Sequence, residues 1–184
     1  ESKADQIHAY ARTIVSTLPM TESVRKMVSD AAKLLNSTLE ALGTLHSEMD
    51  ALASQLPEYE TVMNLYGVGK VFCSQPIAEL GDVTRLKSNK SLTALAGIDP
   101  PPDQSGKDDP KSRRISKRGS PALRKTLFLI MTIYLQNQPV GEPVFHFLDK
   151  KRAEGKPYKV YMIAAAHKFL RIYYARVKEV MPVQ

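Results

Sequence analysis

Val28 to Leu56 reads VSDAAKLLNSTLEALGTLHSEMDALASQL. Its apolar and small side chains fall at Val28, Ala31, Leu35, Thr38, Leu42, Leu45, Met49, Leu52 and Leu56, stepping by three and four. That spacing draws one narrow stripe along an α-helix, the seam of a coiled coil held for about four heptads. Thr21 can cap the start, Glu22 sits well at the positive end of the helix dipole, and Pro57 stops the run. At ~1.5 Å per residue the helix should be roughly 50 Å long. Gly43 and Thr38 weaken the seam locally. A stripe this narrow needs a partner helix. A second copy of the chain satisfies it, and so does a preceding helix carrying Ile7, Tyr10, Ala11, Ile14 and Leu18.

Beyond Pro57 the pattern changes to shorter helices punctuated by Gly, Pro and Asn. Ser120 followed by Pro121 predicts an N-cap with proline at the first helical position, and Leu123, Leu127, Ile130, Met131 and Tyr134 then form one apolar face. A last helix is predicted from Tyr158 to Lys178. Its VYMIAAAHKFL stretch is apolar almost all round, which calls for burial at the centre of the second domain, with His167 as a hydrogen-bonded core histidine. No persuasive strand alternation occurs. The expected fold is mostly α: a coiled-coil-like helical arm over residues 1–56, then a compact helical domain over 57–184.

The 184 residues carry a net charge of +7 and a single cysteine, Cys73. One cysteine closes no internal disulfide, and with four scattered histidines it gives no zinc-ligand spacing, so a reducing, cytoplasmic setting without a structural metal is expected. No apolar run approaches the ~20 residues that span a bilayer, so no membrane partner is expected. The start, ESKADQIHAY, lacks the regions of a signal peptide and begins in mid-pattern, as a piece of a longer protein would. The charge is unevenly placed. Between Gln104 and Lys125 stand eight Lys and Arg against two Asp, which accounts for six of the seven net charges. Such a cluster suits a polyanion, because phosphates bound by Lys and Arg release condensed counterions. Charge alone leaves a solvated basic loop equally open.

Two motifs could carry chemistry. Leu65-Tyr66-Gly67-Val68-Gly69-Lys70 reads as a tight glycine turn between helices, where backbone N–H groups can approach an anion with no Cβ in the way. Helix-hairpin-helix modules grip backbone phosphates through such a turn, whereas an ordinary turn would simply tuck Val68 into the core. The second motif is DPPPDQSG, from Asp99 to Gly106. Ser105 in it is either a turn residue or a nucleophile toward phosphorus. The neighbouring arginines supply the bidentate donors that non-bridging phosphate oxygens require. No histidine near it in the sequence could take its proton.

GIDPPPDQSGKDDPKSRRISKRGSPALRKTL, starting at Gly97, resembles the G-[IL]-x-P, S-G, I-S-K-x-G and L-R signature of the C-terminal domain of insertion-sequence transposases of the 110, 116 and 902 family. The upstream coiled-coil helix, the glycine hairpin, AELGD and the closing GKPYKV to AAAHKFLRIYYA helix agree, so the resemblance covers roughly Leu34 to Lys178. Tyr66 departs from the proline that commonly precedes the hairpin, and Pro76 should kink the helix after it. The resemblance implies a DNA recombinase that cuts and rejoins strands through a covalent serine–phosphate intermediate, with Ser105 as nucleophile. It also implies an N-terminal RuvC-like half, outside this chain, whose four acidic residues hold Mg²⁺, and a noncoding guide RNA beside the DNA. On this reading Gly67, Gly69, Lys70, Lys107, Arg113, Arg114, Lys117, Arg118 and Arg124 contact nucleic acid, this chain holds no metal, and the seam makes a homo-oligomer. Two other expectations compete with it: a non-catalytic helix-hairpin-helix binding module, and a coiled-coil scaffold whose basic loop is incidental.

Overall fold

The computed structural model describes residues 2–14, 19, 21–100 and 114–181. The described residues form helices and turns with no strand. They divide into two units, Glu1–His46 and Ser47–Gln184.

The first unit holds α1 (Lys3–Ala11) and most of α2 (Glu22–Ala53). Ser2 caps α1 reciprocally with Asp5, each side chain bonding the other's backbone N–H, which satisfies two donors that a helix start leaves orphaned. At α2 the Thr21 hydroxyl accepts from Val24 N at 3.4 Å, the cap expected there. The seam faces solvent: Leu35 and Leu42 are each 60% exposed. α1 does not cover it, because α1 buries none of its residues and Ile7, Tyr10 and Ile14 are themselves exposed. Thr38 turns its hydroxyl back to Leu34 O at 2.7 Å, so this polar seam position satisfies itself without a partner.

In the second unit, α2 ends at Ala53, three residues short of the predicted stop. Pro57 explains this: its ring clashes with the carbonyl four residues back, which is that of Ala53, and it constrains Leu56 before it. Leu56 N closes a tighter turn on Ala53 O at 3.0 Å instead. The last turns of α2 are tied to the compact unit by the Tyr59 hydroxyl, which donates to Asp50 Oδ1 at 2.9 Å, and by the burial of Ala53. Then follow α3 (Tyr59–Met63), α4 (Gly69–Phe72), α5 (Ser74–Leu80), a 3-10 turn (Val83–Arg85), α6 (Asn89–Leu95), α7 (Pro121–Asn137), α8 (Pro143–Ala153) and α9 (Tyr158–Val180). Pro76 breaks rather than bends its helix. Its ring opposes the Phe72 carbonyl, and the chain is interrupted at Cys73, between α4 and α5.

α9 is the central element, packing against α3, α6, α7, α8 and the 3-10 turn. Met162, Ala165, Ala166, Phe169, Leu170, Tyr173 and Val177 are buried on it, so the nearly all-apolar stretch lies where its composition predicts. The predicted face of α7 is likewise buried through Leu123, Leu127, Ile130, Met131 and Tyr134, and Ser120 caps it by accepting from Leu123 N at 3.1 Å. Cys73, fully buried, donates weakly to Tyr59 O at 3.5 Å. Burial, with the charges of Asp50 and Glu60 behind it, pushes its thiol up to about 12. No helix among the described residues is long and apolar enough to cross a membrane.

Candidate nucleic-acid interface

The basic stretch is organised by a neck that joins the C-terminal end of α6 to the N-terminal end of α7. Residues 94–99 and 116–120 run against each other through backbone bonds: Ser116 N to Asp99 O at 2.7 Å, Lys117 N to Gly97 O at 2.9 Å, and Ser120 N to Leu95 O at 2.6 Å. The Ser116 hydroxyl adds a bond to Asp99 Oδ1 at 2.7 Å. Two glycines allow this approach. Gly97 has φ +62°, and a Cβ on it would stand 2.6 Å from Gly119 N, while a Cβ on Gly119 would stand 2.5 Å from both Ala94 O and Gly97 N. No side chain fits at either position. Lys117, with φ +56°, takes a left-handed conformation that non-glycine residues adopt at a cost of about 1–2 kcal/mol. The paired backbone around it holds that conformation in place.

Two side chains from elsewhere complete the neck. Arg124 on α7 donates through Nη1 to Ala96 O at 2.9 Å. His167 on α9 has Nε2 at 3.1 Å from Ile98 O; because a carbonyl only accepts, Nε2 carries the hydrogen. His167 is hydrogen-bonded as expected but only half-buried, not enclosed in the core.

The predicted site residues separate as follows. Ser105, Lys107 and Arg113 lie outside the described residues. Arg114, Lys117 and Arg118 are exposed on the C-terminal side of the neck. Arg124 is half-buried, and its guanidinium is engaged with the Ala96 carbonyl. At the other motif both glycines have positive φ, +78° at Gly67 and +50° at Gly69. They face different surroundings. Gly67 packs on α7, where a Cβ would meet Ile130 Cγ2 at 3.1 Å, whereas Gly69 meets nothing and Lys70 beside it is exposed. Val68 between them is 2% exposed. Tyr66 fills the position of the expected proline by packing on Tyr134, ring centroids 5.0 Å apart. Burial pushes the Tyr134 phenol up, with Glu142 and Tyr66 adding to the effect. The helices flanking this turn are short, five residues in α3 and four in α4.

Residues 59–144 match the family described as Transposase IS116/IS110/IS902. That stretch is similar to the transposase domain of the family. The match runs from α3 to the start of α8, so the neck and the glycine turn both lie inside it, and α9 with His167 lies outside it. Two curated relatives are named pilin gene-inverting protein, one from Moraxella bovis and one from Moraxella lacunata; each is 31% identical over 117 residues. The aligned part is 63% of this chain and 35% of each relative, so the chain spans about a third of the length of the curated relatives it matches.

Sequence reading missed the neck itself. The I-S-K-x-G stretch, Ile115 to Gly119, reads as a source of cations, yet Ser116 and Gly119 serve the neck as fasteners. The paired glycines at 97 and 119 were the available signal, because glycine is placed where backbones meet.

Proposed function

We propose that this chain is the strand-exchange part of a DNA recombinase, with Ser105 as nucleophile. Its Oγ attacks a phosphodiester of the bound DNA, forming an Oγ–P bond and breaking the bond from that phosphorus to a deoxyribose oxygen, which leaves with a proton. A hydroxyl of a second strand then attacks the same phosphorus, joins that strand and restores Ser105. The adduct keeps the phosphodiester energy, so no high-energy cofactor is required. Lys107, Arg113, Arg114, Lys117 and Arg118 neutralise the phosphate, whose charge on the non-bridging oxygens grows toward the transition state. Arg124 acts through the neck as a positioning residue. Gly69 and Lys70 hold a backbone phosphate further along, with Gly67 shaping the turn.

One observation supports this reading above the others: within the family match, residues 95–99 and 116–120 are fastened by two glycines, three side-chain bonds and a backbone ladder. Such rigidity is costly in strained backbone, and catalytic groups need positioning to within about half an ångström. A Mg²⁺-binding RuvC-like half, a guide RNA and a cytoplasmic location belong to the same proposal. So does a homo-oligomer through α2, whose uncovered seam needs a partner.

The decisive experiment uses the full-length protein with cognate DNA and RNA. Ser105→Ala should abolish a covalent protein–DNA adduct while leaving DNA binding intact, and an adduct that survives removes Ser105 from the mechanism. A second reading, a binding module without chemistry, draws on the exposed Gly69-Lys70 turn, which could grip phosphate without Ser105. It predicts binding with no adduct in the unaltered protein.

A further inference from the structure

A cleft of about 310 Å³ opens between α6 and α9, lined by Asn89, Lys90, Thr93, His167 and Arg171. None of these residues belongs to the basic stretch, and no single segment of sequence would group them. Lys90 and Arg171 are exposed cations with no ion-pair partner among the described residues. Asn89 adds an amide donor, while His167 forms part of the wall with its Nε2–H spent on Ile98 O. The Thr93 hydroxyl is spent on Lys90 O at 2.8 Å. Among the described residues no carboxylate lines the cleft. A concave surface with two cations and no acid among its described lining attracts anions, and its wall reaches the neck through His167 and Ile98.

We propose that this cleft holds one backbone phosphate of a nucleic acid, with Arg171 and Lys90 as the charged ligands and Asn89 as an amide donor beside them. The proposal rests on the nucleic-acid reading above and adds a contact on the α9 side of the neck, away from the Arg114–Arg118 edge. Arg171 supplies a bidentate fork and Lys90 a point charge, a pairing suited to a phosphodiester, which presents two non-bridging oxygens. The fit is to shape and charge, so the site positions a strand and reads no bases.

The test measures binding of this chain to a duplex DNA and to a single-stranded RNA of equal length, as log affinity against log salt. One neutralised phosphate contributes about 0.9 to the slope on duplex DNA and about 0.7 on a single strand. Lys90→Ala with Arg171→Ala should flatten the slope by roughly that amount on whichever nucleic acid occupies the cleft. Lys90→Arg with Arg171→Lys should keep it, and Lys150→Ala, an exposed cation on α8, should leave it unchanged. Both targets are exposed, and an unaltered melting temperature verifies the fold of each variant. A slope unchanged in the double alanine variant on both nucleic acids overturns the cleft assignment while leaving the general reading in place. If the unaltered chain binds neither nucleic acid, the general reading fails instead. Inorganic phosphate titrated against the His167 imidazole resonances then decides the cleft: movement lost in the double alanine variant upholds an anion site, and no movement overturns it.

Discussion

Gly97 and Gly119 meet backbone to backbone: a Cβ on Gly97 would stand 2.6 Å from the Gly119 amide nitrogen and 2.8 Å from Arg124 Nη1. With φ +62° as well, Gly97 is unsuited to a side chain on two independent grounds. Gly97→Ala is therefore expected to destabilise the second unit by about 1–3 kcal/mol, the usual cost of a strained left-handed residue. At ~2–4 °C per kcal/mol for a chain of this size, the melting temperature should fall by several degrees. A melting temperature that stays put would mean that the neck opens without cost.

The Asp99–Ser116 bond makes a smaller claim. Ser116→Ala removes the bond to Asp99 Oδ1 and the longer one that the hydroxyl accepts from Arg118 N at 3.4 Å, and should cost about 0.5–1.5 kcal/mol, measured by urea denaturation. Arg124→Met keeps most of the stem but leaves the Ala96 carbonyl, at the C-terminal end of α6, without its charged donor. Charge-assisted bonds are worth about 1.5–3 kcal/mol, so this variant should be the less stable of the two. The reverse order would mark Arg124 as a ligand for nucleic acid more than a fastener.

Alkaline titration reports on the packing of α3 against α4 and α5. The bond to Asp50, then burial, raises the Tyr59 phenol from 10.0 to about 12, and burial raises the Cys73 thiol from 9.0 to about 12. Both groups hold their protons more tightly when folded, so the stability they provide is complete below pH 9 and is lost as pH rises through about 12. Unfolding free energy measured from pH 8 to pH 11 should decline across that window, and less steeply in Tyr59→Phe. Cys73 should resist a maleimide at pH 8 until denaturant is added, because the thiolate is the reactive form. Rapid labelling of the native chain would contradict its burial.

The exposed seam predicts association. Leu35→Glu with Leu42→Glu places charges on two seam positions that face solvent in the single chain, so the helix itself should survive. Light scattering should report an oligomer for the unaltered chain and a monomer for the variant, with circular dichroism showing retained helix. A monomer in both cases removes the seam as a contact between copies.

Helices were legible where one chemical feature dominates a segment. The Ser120-Pro121 start of α7, the apolar run of α9 and the Pro76 interruption follow from capping, burial and the missing proline N–H, all properties of neighbouring residues. The end of α2 at Ala53 was less legible because a proline acts four residues upstream of itself. The family signature also stood in the sequence, and the match over residues 59–144 bears it out.

What the sequence could not express was the division of labour among its cations. Lys117, Arg118 and Arg124 look alike in a row of basic residues. Only packing engages Arg124 with the end of α6, leaves the other two in solvent, and gathers Lys90 and Arg171, eighty-one positions apart, around one cleft. The sequence by itself determined the helices, the basic stretch and the family resemblance, because these depend on local periodicity, charge count and motif. Tertiary structure alone decided which charges are fasteners and which are free, because a guanidinium is committed by the carbonyl it meets, and that carbonyl comes from another helix.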